Sequence, residues 1–135
     1  MRFSYFEHDA DVGVIGRGDT VEQAFQAAAQ AVFAIMTNLD SVQPRDEMLI
    51  EFEEADPEFA LVIWINLLLG KARESGMVFN DFHLQRNGQQ WRARIKGEKW
   101  HDGLERGVEV KGATFTMLAV RQEKGIWIAQ CVVDV

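Results

Sequence analysis

Glu7-His8-Asp9-Ala10-Asp11-Val12-Gly13-Val14 is the stretch from which the fold is read. It puts three carboxylates and an imidazole into five residues, directly before a run that reads as a buried strand. Residues 2–7 alternate loosely with aromatics at Phe3 and Tyr5, and residues 12–15 are β-branched apart from Gly13. Two strands are therefore expected, joined through residues 8–10, with the acidic cluster at a strand end or turn. Carboxylates this close repel one another and must be desolvated where a strand enters a core. A divalent cation is the simplest group to offset that cost, because Asp and Glu oxygens suit hard ions such as magnesium or calcium. A solvated turn is the plain alternative.

The far end of the chain carries a related feature. Cys131-Val132-Val133-Asp134-Val135 is an apolar strand with a carboxylate at its tip. By period-two alternation Ile126, Ile128, Gln130, Val132 and Asp134 share a face, so Asp134 continues a largely buried stripe. A carboxylate there needs a partner, either Lys111 in an ion pair or a cation shared with Asp11.

Between these ends, Gly16-Arg17-Gly18-Asp19 reads as a turn and Thr20-Val21-Glu22-Gln23 as a capping box. Val21, Ala24, Phe25, Ala28, Val32, Ile35 and Met36 then recur at helical spacing, with alanines that let the helix lie close on a sheet. Residues 48–52 alternate apolar and acidic as a strand with one wet face. Asp56 and Pro57 suit the N-cap and first position of a second helix running to Gly76. Residues 59–69 are apolar all round except Asn66, which predicts burial on more than one side. Asn66 itself reads as a hydrogen-bonded core polar group. Asn87-Gly88-Gln89 joins a hairpin of residues 77–86 and 90–96, and residues 123–125 join a second hairpin of residues 115–122 and 126–133. Residues 97–107 form the most plausible functional loop, and residues 108–111 a short extended piece. The expected fold is α+β, a two-layer sandwich of a mostly antiparallel sheet with two helices packed on one face, as a single domain over residues 1–135.

Composition narrows the function. The 135 residues are 47% hydrophobic, enough for one domain with a core. The net charge of −7 is uneven: residues 1–70 hold 3 basic and 13 acidic side chains, residues 71–135 hold 11 and 8. Such a chain gains little counterion-release energy from phosphates, so stable direct nucleic-acid binding is not expected, and a basic partner suits the acidic half better. No signal-peptide core and no apolar run of ~20 residues occurs, so no membrane association and a cytoplasmic location are expected. One cysteine excludes an internal disulfide, and Cys131 reads as inert packing. His8 and His101 match no zinc signature. Lys111 lies in a short piece flanked by Gly107 and Gly112, where the backbone has room to approach another surface.

Taken in order, His8-Asp9-Ala10-Asp11-Val12-Gly13, Gly18-Asp19-Thr20, Met36-Thr37-Asn38-Leu39, Trp64-Ile65-Asn66-Leu67-Leu68, Glu109-Val110-Lys111-Gly112-Ala113-Thr114 and the final Asp134-Val135 resemble the archease family along the whole chain. Archeases are small acidic protein cofactors of the RtcB-type RNA ligase of tRNA splicing and RNA repair. They promote the ligase's guanylylation and turnover and are not ligases themselves. The resemblance implies a divalent metal, calcium, magnesium or manganese, held by Asp11 and Asp134 with the carboxylate of Val135. It leaves Asp9, Glu7 and His8 as auxiliary groups and gives Lys111 the contact with the ligase or a phosphate. No catalytic residue is implied. The sequence departs from the family pattern at Asp9, Leu67, Leu104 and Thr116, where threonine, glutamate and two histidines are usual.

Two other classes remain open. A chaperone or assembly module would use the apolar helix of residues 59–69 and need no metal. A metal-dependent phosphohydrolase would use the same acidic tip but turn substrate over unaided, although no clear general base stands beside the carboxylates.

Overall fold

The structure, a computed structural model, describes residues 2–135. Its elements are β1 (Phe3–His8), β2 (Asp11–Gly18), α1 (Val21–Met36), β3 (Asp46–Glu53), α2 (Pro57–Ser75), β4 (Met77–Asn87), β5 (Gln90–Lys99), β6 (Gly112–Ala113), β7 (Ala119–Glu123) and β8 (Ile126–Asp134), with a 3-10 turn at Leu39–Ser41. Every strand pairing is antiparallel. The class is α+β as expected, with the strands divided between two sheets. One runs β1-β2-β8, with β6 and β7 both on the far edge of β8; the other runs β3-β5-β4.

The division follows from the helices, each of which touches both sheets. A Cβ on Gly16 of β2 would meet the Ala24 carbonyl oxygen at 2.2 Å and the Ala28 nitrogen at 2.4 Å, so α1 lies almost backbone to backbone on the first sheet. On its other flank Phe25 stacks on Trp91 of β5 at 5.0 Å and Phe33 meets Phe79 of β4 edge-on. A helix buried on two flanks requires a layer on each. The same contacts correct the expectation of a turn at residues 16–19. β2 continues through Gly18, and Gly16 and Gly18 serve the close approach of α1.

Local signals hold where they are self-contained. Thr20 caps α1 by accepting from the Gln23 amide at 3.1 Å, while the Gln23 side chain reaches back to the Asp19 amide. Asp56 caps α2 ahead of Pro57, and Gly76 ends it in the left-handed conformation at φ 69°. Residues 115–118, expected as strand, are instead a turn, and β7 begins at Ala119. Residues 108–111 lie ahead of β6 rather than in it. Among the described residues no helix is long and apolar enough to cross a membrane.

Candidate functional site

Strand register builds one row of residues across the end of the first sheet. His8 pairs with Asp11, and Gly112 pairs with Asp134. Val12 faces Val133, so one step further Asp11 faces Asp134. The row therefore reads His8, Asp11, Asp134, Gly112 across β1, β2, β8 and β6. Residues directly opposite in an antiparallel pair project to the same face, which gives the Asp11 and Asp134 carboxylates a common side. Main-chain bonds fix the ends: the Val135 amide donates to Asp11 Oδ1 at 3.4 Å, and the Lys111 amide donates to the Asp134 carbonyl at 2.8 Å. Val133, one residue inward, is fully buried, whereas Asp134 is exposed. The core stops at the row.

The remaining acidic stretch is arranged differently. Glu7 pairs with Val12 and is exposed, and strand alternation turns it to the face opposite His8. Asp9 occupies the tip of the β1–β2 turn at φ 53°, a left-handed conformation that Asp tolerates better than a β-branched residue does. Its side chain is 93% exposed, 3.9 Å from His8 Nδ1. Among the described residues no three His, Cys, Asp or Glu side chains converge as a metal cluster. The side-chain oxygens at the row are those of Asp11 and Asp134. This is a hard-ion donor set, fewer than the six to eight oxygens calcium takes, so water or a partner would complete the shell.

Helix α2 holds the opposite side of the row. Phe59, Asn66 and Arg73, spaced by seven, form a stripe against the segment that leads into and out of β6. Phe59 meets Phe115 edge-on at 5.8 Å, Asn66 Oδ1 accepts from the Ala113 amide at 2.8 Å, and Arg73 donates to the carbonyls of Val110, at 3.1 Å, and Lys111. Lys111 is thereby fixed at both its amide and its carbonyl, and its side chain stays exposed. Among the described residues no ion pair joins Lys111 to Asp134.

Asn66 is hydrogen-bonded but exposed, not the core group the sequence suggested, and Arg73 carried no sequence signal beyond its spacing of seven from Asn66. The two flanking glycines face the protein's own helices. A Cβ on Gly107 would meet the Ile35 carbonyl oxygen at 2.4 Å, and one on Gly112 would meet Asn66 Oδ1 at 3.3 Å.

His101 and Cys131 take part in packing and hydrogen bonding away from the row. Glu98, 5% exposed, accepts from the Gln43 amide at 2.6 Å and lies 3.1 Å from His101 Nε2. The Gln43 amide, then His101 and Arg45, hold its carboxyl below the usual range. Burial pushes the Cys131 thiol up to about 12, which makes it unreactive. Of the departures, Leu104 belongs to the core, Leu67 packs half-buried against it, and Thr116 is exposed, with its carbonyl accepting from the Val132 amide.

Residues 3–135 match the Archease protein family (MTH1598/TM1083). The chain is 34% identical to protein archease of Sulfolobus acidocaldarius and 35% identical to that of Pyrococcus furiosus, in each case over 99% of both chains. Its fold is similar to the solution structure of Methanobacterium thermoautotrophicum protein 1598, with a TM-score of 0.84, 27% identity and 99% coverage of both chains. It also resembles the crystal structure of an archease, possible chaperone, from Thermotoga maritima, with a TM-score of 0.68, 18% identity, and 96% of this chain and 94% of that one covered. The fold, the ordered motifs and these likenesses agree, and the chain belongs to the archease protein family.

Proposed function

We propose that this chain is an accessory protein, not itself catalytic, that promotes guanylylation and turnover of an RtcB-type RNA ligase in the cytoplasm. The observation that carries the reading is the row across the sheet end, where Asp11 and Asp134, from opposite ends of the chain, face one another beside Lys111. Two like charges opposed across strands destabilise the pair unless a cation offsets them. Asp11 and Asp134, with the Val135 carboxylate, would hold a divalent ion. Asp9 and His8 at the adjoining turn would act as auxiliary groups, and Glu7, on the other face, would add to the acidic field.

Such an ion supplies positive charge that orients phosphate oxygens and stabilises negative charge developing in nucleotidyl transfer. Lys111 would contact the ligase or a nucleotide phosphate; its main chain is already fixed by Asp134 and Arg73, so little backbone order is lost on docking.

The test adds catalytic amounts of the protein to a cognate RtcB-type ligase with GTP and metal. Guanylylated ligase and ligation turnover should rise, Asp11→Ala should abolish the rise, and Lys111→Ala should reduce it. No rise with the unaltered protein sinks the reading.

A second reading, as a chaperone or assembly module, is favoured by the exposed apolar side chains Phe59 and Phe115, which touch at the start of α2, with Met117 beyond them. The T. maritima relative is described as a possible chaperone. Against a broad client surface, Leu61, Val62, Trp64, Ile65, Leu68 and Leu69 are all buried. Suppression of client aggregation that survives Asp134→Ala and is lost in Phe115→Ser would favour this reading.

A further inference from the structure

A cavity of about 480 Å³ opens between the ends of the two helices and the loop of residues 100–110. Its size lies in the range of small-molecule sites. Met36, Met77 and Trp100 give it apolar walls, and two guanidinium groups, Arg73 and Arg106, also line it. The Arg106 guanidinium lies over the Trp100 ring, 4.2 Å from its centroid, and Arg73 rests on the Val110 and Lys111 carbonyls.

Acidic residues outnumber basic ones 21 to 14 in this chain, yet among the described residues neither guanidinium is ion-paired with a carboxylate. Glu109 lines the same cavity without pairing to either. Arg73 already donates to two carbonyls, so Arg106 is the forked donor left free, and one such donor beside apolar and aromatic surface suits a flat apolar body bearing an anionic group. The anion accepts parallel N–H bonds from a guanidinium, and the body covers the methionines and the indole.

We propose that this cavity is a binding site for a small organic anion with a flat apolar body, with Arg106 as the principal anion contact and Trp100 as the wall for its ring. The proposal requires neither the acidic tip nor a ligase, although Arg73 is shared between the cavity and the Lys111 segment.

The experiment titrates the whole protein with two fluorescent probes that share one ring system. These are 1-anilinonaphthalene-8-sulfonate, which carries the anion, and N-phenyl-1-naphthylamine, which lacks it. Both should saturate at one site. Arg106→Gln should weaken the sulfonate about tenfold, the scale of one charge-assisted hydrogen bond, and the neutral probe less than twofold. Trp100→Leu should weaken both, and Arg92→Gln, on the other sheet, neither. The inference is overturned if neither probe saturates, if Arg106→Gln weakens the two equally, or if it leaves both unchanged. A variant that loses its cooperative melt is replaced by Arg106→Lys, which keeps the charge but not the fork and should weaken the sulfonate by less than Gln does. Equal weakening of both probes by Lys again overturns the proposal.

Discussion

The amide of Val135 donates to the Asp11 side chain at 3.4 Å, closing a loop of 124 residues with one weak hydrogen bond. The contact matters for what it adjoins: Asp11 and Asp134, opposed by the β2–β8 register. Without a cation the pair should be a liability of a few tenths to ~1 kcal/mol, the scale of like charges facing across strands. Asp134→Ala is therefore expected to leave the metal-free melting temperature unchanged or slightly raised. With calcium the sign should invert, because only the unaltered protein gains binding energy on folding. Thermal melts with and without calcium check both halves, and a metal-free Asp134→Ala that melts well below the unaltered protein would refute the opposed-charge account.

The α2 stripe predicts a local effect without a global one. Asn66→Ala removes the acceptor of the Ala113 amide, and Arg73→Ala removes the donor to Val110 and Lys111. Each bond contributes about 1 kcal/mol at most in so exposed a place. Exchange of the Lys111 and Ala113 amides should speed up several-fold, while exchange deep in β2 and β8 stays as it was. Uniform acceleration across the sheet would mean that the stripe holds up the whole fold, not the Lys111 segment.

Two glycines give opposite expectations for the same substitution. Gly16→Ala places a methyl 2.2 Å from the Ala24 carbonyl oxygen, which is backbone and has no rotamer by which to yield. A loss of roughly 1–3 kcal/mol follows from overpacking. Gly70 lies inside α2 with nothing within 4 Å of an added Cβ, so Gly70→Ala should stabilise by up to ~1 kcal/mol through helix propensity. Denaturant melts of the two variants should move in opposite directions.

These glycines also mark where sequence reading stops. Thr20, Asp56, Pro57, Gly76 and Asn87-Gly88 were legible because cap and turn chemistry is local, satisfied within a few residues. Gly16 and Gly18 were misread as a turn because their reason is tertiary, the approach of α1, and nothing adjacent in sequence expresses it. Division into two sheets was hidden for the same cause: apolar periodicity reports that a helix flank is buried, not which layer buries it. At the candidate site, strand parity put Asp134 on a buried stripe, whereas the core takes Ala129, Cys131 and Val133 and leaves Asp134 exposed; its facing of Asp11 comes from the β2–β8 register, which the sequence does not express. Arg73 was not legible, since its acceptors are carbonyls 37 and 38 residues onward and any residue type supplies a carbonyl.

Glu98 predicts how stability responds to acid. Its nearly buried carboxylate ties the Gln43 amide, His101 and Arg45 to the end of β5. The Gln43 amide is the main cause of its lowered pKa, with His101 and Arg45 adding to it. The folded state therefore favours the ionised form more than the unfolded chain does, where the group titrates near its ordinary value of 4.5. The resulting stabilisation is complete above that value and is lost as the pH falls through the lower folded value. Glu98→Gln lacks this contribution at every pH. Between about pH 5 and pH 3 the gap in melting temperature between unaltered protein and Glu98→Gln should narrow steadily. A gap that is flat to pH 3, or that widens, would show that the carboxylate's charge is not what the Gln43 amide and His101 stabilise.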